Sequence, residues 1–204
     1  MAISIEQQAD RARSHLMVSA EVTRQTAEVC LESIAAAAEM MATSFRAGGK
    51  LLLCGNGGSA ADCQHFATEL VSRLSKDLDR PGLPAIALTT DTSFLTAFSN
   101  DFGYERVFER QVRAHGRPGD VLIGISTSGN SPNVLCAVEA AQGLGMKTIG
   151  LTGNGGRLAS VADLAISIPS SDTQQIQETH LAVEHILCDL VECHLFDKAK
   201  PQET

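Results

Sequence analysis

The sequence predicts an α/β protein in three layers, a five-stranded parallel sheet with helices on both faces, preceded by an N-terminal helical arm. Three observations predict it. Residues 4–45 contain neither Gly nor Pro. From residue 50 onward, short apolar runs alternate with helical stretches, the order that gives parallel strands joined by right-handed crossovers. The chain has 204 residues, 44% of them hydrophobic and 20% charged, which suffices for one well-cored domain.

Residues 4–45 are rich in Ala, Glu, Leu and Met, all strong helix formers. The stretch is too long for one ordinary helix, so two helices or a bent one are expected. It has two uses, as a covering layer of the domain or as an arm whose apolar stripe packs against another subunit. After Gly48-Gly49, the apolar runs 50–54, 85–88, 121–125, 148–151 and 164–168 are expected to form buried strands. Between them, 59–74, 91–98, 104–114, 132–144 and 156–161 carry helical patterns, and a last long helix covers 172–196. No repeat, low-complexity tract or linker interrupts this series. Residues 1–204 are therefore expected to form a single domain, with 1–47 as the arm and 48–197 as the α/β core and C-terminal helix. The acidic stretch Asp77-Leu78-Asp79-Arg80 is expected to be a solvated loop.

The net charge is −8, from 16 basic and 24 acidic residues. That balance argues against a nucleic-acid surface, which needs clustered Lys and Arg, but leaves room for one small phosphorylated ligand. No apolar run is long enough to cross a bilayer, and the N-terminus lacks the basic-then-apolar order of a signal peptide. The six cysteines, Cys30, Cys54, Cys63, Cys136, Cys188 and Cys193, include no C-x-x-C pair. They are expected to be reduced core residues of a cytoplasmic protein, which disfavours a cysteine zinc site.

Ligands of such sheets bind beyond the carboxyl ends of the strands, where strand order reverses. Two strand ends here are unusual, Gly55-Asn56-Gly57-Gly58-Ser59 and Ser126-Thr127-Ser128-Gly129-Asn130-Ser131. In a flavodoxin-like order, 2-1-3-4-5, the first and third strands are neighbours and both loops face one crevice. The second loop offers the hydroxyls of Ser126, Thr127, Ser128 and Ser131 beside a helix N-terminus, which makes a phosphate cradle of dipoles. Turns and caps use the same residue types, but two such loops at adjacent strand ends favour a phosphate or sugar site. Other nucleotide signatures are weak. Gly55-x-Gly57-x-x-Ala60 lacks a well-placed acidic partner, and no G-x-x-x-x-G-K-[ST] occurs.

The helix after the first loop carries Asp62, His65 and Glu69, and the last helix carries Gln177, Glu178, His180, Glu184 and His185. Spacing of i, i+4 puts His65 and Glu69 on one helix face. Imidazole with carboxylate suits Zn²⁺ or proton transfer near neutral pH. Gln177 and His185 lie two turns apart, about 12 Å along the axis, so both reach one metal only if extended toward each other.

GNGGSAADCQHFATEL, ALTTDTSFLTAFSNDFGYERVFERQV, GDVLIGISTSGNSPNV and IQETHLAVEHILCDL together resemble the sedoheptulose 7-phosphate (phosphoheptose) isomerases. The likeness runs from about Ala20 to Phe196. The paired loops mark the wider sugar-isomerase (SIS) fold, and H-x-x-x-E with Q-x(7)-H narrows it to the heptose branch. The resemblance implies conversion of sedoheptulose 7-phosphate to D-glycero-D-manno-heptose 7-phosphate, toward the heptose of bacterial lipopolysaccharide. It also implies a cytoplasmic homotetramer, with active sites near subunit interfaces and one Zn²⁺ per subunit. Carried over by motif, the metal ligands are His65, Glu69, Gln177 and His185. The substrate contacts are Asn56, Gly57, Gly58, Glu69, Asn100, Asp101, Ser126, Thr127, Ser128, Ser131 and Gln177. Glu69 is the implied base and His185 the acid. A tightly held ligand is a poor free base, so either the metal is displaced or shared during turnover, or another carboxylate such as Asp62 serves. A second reading is a non-catalytic SIS adaptor that binds the replication initiator DnaA, which the chain resembles at its C-terminal CDL…LF segment. The complete set of four residues favours the enzyme.

Overall fold

The computed structural model describes residues 3–196. Residues 1–2 and 197–204, which the single-domain expectation also spans, lie outside the described residues. The arm is two helices, α1 (Ile5–Val29) and α2 (Leu31–Arg46). A capping box opens α1, in which the Ser4 hydroxyl accepts from the Gln7 amide and the Gln7 side chain accepts from Ser4 N–H. Then follow β1 (Leu51–Gly55), α3 (Gly58–Val71), β2 (Ala85–Ala87), α4 (Thr92–Phe102), a 3-10 turn (Tyr104–Arg106) and α5 (Val107–His115). The chain continues with β3 (Val121–Ser126), α6 (Pro132–Gly143), β4 (Lys147–Thr152), α7 (Leu158–Val161), β5 (Leu164–Ser167) and α8 (Thr173–Leu195).

All strand pairs are parallel, in the order β2-β1-β3-β4-β5. Gly55 at the end of β1 is paired with Ile125 near the end of β3, so the two unusual loops leave the sheet side by side. Alternate strand residues feed two cores, as the period of a strand buried on both faces requires. Leu51, Leu53, Ile123 and Ile125 pack with Ile34 and Met41 of α2, Phe66 and Leu70 of α3, and Val183 and Leu187 of α8. Leu52, Cys54 and Leu122 turn to the other face, against Phe108 of α5, Val134 and Val138 of α6, and Leu158 of α7.

Three expectations are corrected. The helix expected over 91–98 runs on to Phe102, where Gly103 (φ 84°) ends it. Not all cysteines are core residues, for Cys136 is half-buried on α6 and Cys193 is exposed on α8. The 77–80 stretch is not simply a solvated loop. Asp77 and Asp79 are exposed, but Arg80 is buried in an ion pair with Glu192 of α8. Among the described residues, no helix is long and apolar enough to cross a membrane.

Candidate functional site

Gly57 opens α3 at φ 57°, a left-handed conformation that L side chains adopt only with strain. Gly58 follows, and a Cβ there would run into the amide of Gln177. The glycine pair thus brings the backbone of the first loop against the start of α8. The Gln177 amide donates to the Asp62 carboxylate at 3.4 and 3.2 Å. Burial raises the Asp62 pKa, opposed by that hydrogen bond and by the charge of His65.

One turn further along, α3 and α8 meet through His65 and His185, whose Nε2 atoms are 2.8 Å apart. One ring therefore donates and the other accepts, or both face a shared cation. Glu69 Oε1 lies 3.7 Å from His65 Nε2. One donor atom each from His65, Glu69 and His185 falls within 4.8 Å of the others. The His65 side chain is 38% exposed and that of Glu69 19%, so the cluster opens to solvent. Gln177 is not joined to it, since its amide sits on Asp62 and Gly58.

Behind the cluster, Glu184 is 1% exposed, and neither carboxylate oxygen has a hydrogen-bond partner among the described residues. Burial, reinforced by the charge of Asp62, pushes its pKa up to about 9. His180 faces the sheet, with Nε2 3.2 Å from the Thr152 carbonyl, and burial pulls its pKa down to about 4. His180 therefore belongs to the packing and not to the cluster.

At the second loop, the Ser126 hydroxyl is 3.0 Å from that of Ser131 and 3.5 Å from that of Ser128. Ser131 occupies the N-cap position of α6, yet its side chain makes no cap hydrogen bond. The hydroxyls instead converge at the mouth of the helix, where the dipole favours an anion. Gly129 (φ 65°) makes the turn, and a Cβ there would lie 2.6 Å from both the Gly155 carbonyl and Thr152 Oγ1. Thr127 is half-buried on the loop between them.

Sequence reasoning missed Asn133. Its amide and that of Asn56 exchange hydrogen bonds of 2.9 and 2.8 Å, and Asn133 is 3% exposed. This reciprocal pair ties the first loop to α6. Both residues line a cavity of about 300 Å³ with Ser131 and Tyr104. A lone Asn after Pro132 looks like any first-turn helix residue, so no local signal marks it. Among the described residues, the side chains of Asn100 and Asp101 make no hydrogen bond to either loop and bond each other instead. They lie exposed at the end of α4, with the Asn100 amide donating to Asp101 at 3.0 Å.

Residues 16–153 match the SIS domain family. The chain is 58% identical over 181 residues to a phosphoheptose isomerase from Roseiflexus sp. (strain RS-1), covering 88% of this chain and 91% of that protein. It is similar in structure to a phosphoheptose isomerase from Neisseria gonorrhoeae, with a TM-score of 0.86 and 44% identity over 91% of this chain and 99% of that one. A phosphoheptose isomerase from Francisella tularensis gives a TM-score of 0.87 and 40% identity over 91% and 98%.

Proposed function

This chain belongs to the SIS-domain family and, within it, to the phosphoheptose isomerases, and we propose that it converts sedoheptulose 7-phosphate to D-glycero-D-manno-heptose 7-phosphate at the meeting of α3 and α8. The observation that carries the site is the convergence of His65, Glu69 and His185 within 4.8 Å, beside a crevice lined by two loops suited to a sugar phosphate.

A ketose–aldose isomerisation takes a proton from C1, next to the ketone, and returns one to C2. A second proton passes between the two oxygens through an enediol. Glu69 is the base at carbon and His185 the acid at oxygen. Asp62, its pKa raised by burial, is the alternative base. Ser126, Thr127, Ser128 and Ser131 receive the phosphate, and Asn56, Gly57, Gly58 and Gln177 hold the sugar. Two imidazole nitrogens with a carboxylate oxygen fit the donor set of Zn²⁺. A divalent ion held there would stabilise the developing oxyanion as a Lewis acid. For Gln177 to complete the ligand set, its amide must leave Asp62. Asn100 and Asp101 would reach the sugar from a neighbouring subunit, which accords with a homotetramer. Free thiols suit the reducing cytoplasm, where sugar phosphates are made. The product would feed lipopolysaccharide heptose.

The reading is tested by incubating purified protein with sedoheptulose 7-phosphate and following aldose formation, alongside metal analysis. Turnover that stops on chelation and returns with Zn²⁺ is expected. Protein that shows no isomerase activity even after Zn²⁺ is supplied would sink it and favour an adaptor.

A further inference from the structure

The loop between α3 and β2 delivers one arginine into the interior. The Arg80 side chain is 0% exposed and its partner Glu192 1%. Arg80 Nε donates to Glu192 Oε1 at 2.8 Å. Nη2 donates to the carbonyl of Glu69 at 2.8 Å, and Nη1 to the carbonyls of Leu70 at 2.8 Å and Pro81 at 3.0 Å. Glu69 and Leu70 belong to the last turn of α3, whose carbonyls have no partner within the helix. A cation there also faces the negative end of the helix dipole. Glu192 lies on α8 two turns beyond His185, and it also accepts from the Leu74 amide at 3.5 Å.

The two helices are thus tied at both ends of the cluster, by Gln177 on Asp62 at one end and by Arg80 with Glu192 at the other. Stability alone does not call for charge here, because apolar residues of like volume replace buried ion pairs without loss. A fork of five donors, however, bonds three carbonyls and a carboxylate at once in fixed geometry. That geometry includes the backbone carbonyl of Glu69 itself.

We propose that Arg80, held by Glu192, is a positioning residue: it locks the last turn of α3 to α8 and so sets the spacing of His65 and Glu69 from His185. The proposal rests on the reading of that cluster as the acid–base and metal centre.

The test uses the full-length protein and Co²⁺ as the metal probe. Arg80→Met alone strands a buried carboxylate, so it is paired with the double variant Arg80→Met/Glu192→Leu, which removes both charges. The double variant is expected to fold with a Tm near wild type. Its Co²⁺ affinity and its kcat are each expected to fall at least about tenfold, the usual cost of losing a partner behind a metal ligand. KM should change little, and the visible Co²⁺ spectrum should shift. Arg80→Lys, a point charge that cannot span all four acceptors, is expected to fall between the double variant and wild type. A folded double variant with wild-type Co²⁺ affinity, spectrum and kcat overturns the proposal. So does a double variant that cannot fold, which would make the pair a folding element only. A wild-type protein that takes up no Co²⁺ overturns the metal reading of the cluster instead, and kcat and KM then decide the positioning role.

Discussion

At the scale of single residues, the proposed reaction gives Glu69 the base's role and His185 the acid's. Replacing either with Gln keeps size and removes the proton-transfer group, so kcat is expected to fall at least about a hundredfold, the usual worth of general acid–base catalysis. Circular dichroism and Tm should stay near wild type, because both side chains are on the open side of the cluster. Wild-type rates in both variants would remove the assignment. The hydroxyl cradle makes a different expectation. If the cradle receives the phosphate as proposed, Ser126→Ala and Ser128→Ala would each delete one hydrogen bond to a charged group, worth about tenfold in KM with kcat little changed. The types and spacing of these residues were legible in the sequence, since i, i+4 spacing and loop composition are local properties. Arg80 and Asn133 were not. An arginine in an Asp-rich stretch carries the composition of a solvated loop, and partners supplied by other elements, Glu192 and the end of α3, make its burial tolerable. Asn133 acquires its meaning from Asn56, which another loop supplies.

At the scale of elements, α3 and α8 carry the candidate site, and their alignment is what periodicity could not give. Each helix showed its own polar face in the sequence, but the contact between His65 and His185 depends on how two helices cross over the sheet. Strand order was more accessible. Five buried apolar runs with helices between them leave few topologies, and the paired loops singled out the one that makes β1 and β3 neighbours. Gly58 tests the helix contact. A Cβ there meets only the far end of a flexible side chain, the Gln177 amide, which can swing aside at little cost. Gly58→Ala is therefore expected to leave Tm nearly unchanged while displacing Gln177 from Asp62. Enzyme assays should show KM for sedoheptulose 7-phosphate rising several-fold. A large loss of Tm with unchanged KM would mean that Gly58 serves packing instead.

At the scale of the whole molecule, two properties follow from what the fold buries and what it leaves open. His180 is buried with its pKa pulled from 6.5 down to about 4. Above pH 4.5 Glu184, its pKa raised to about 9, makes stability fall as pH rises. Against it, His180 leaves the unfolded chain binding a proton that the folded one refuses, so its own contribution rises with pH between about 4 and 6.5 and is lost as pH falls through that window. The full effect is about 3 kcal/mol. His180→Gln, measured by urea unfolding from pH 4 to 7, should make the slope of stability against pH less positive than in wild type, and an unchanged slope would assign acid sensitivity to other groups. The second property is assembly. Over its 25 residues α1 buries only Val22 and Thr26, and the His15–Glu178 and Ser19–Glu178 hydrogen bonds pin it to α8. Leu16, Met17 and Val18 are left 68%, 66% and 49% exposed. A contiguous apolar turn of this kind on a helix already fastened elsewhere is expected to be covered by another subunit. That favours the arm over the covering layer, the choice that residues 4–45 alone left open. Leu16→Glu/Met17→Glu should place charge in that contact without touching the core. Light scattering is expected to report a tetramer for wild type and smaller species for the variant, with isomerase activity falling in step if Asn100 and Asp101 act across the interface. An intact tetramer in the variant would assign the contact to another face, and a monomeric wild type with full activity would place the whole site within one chain.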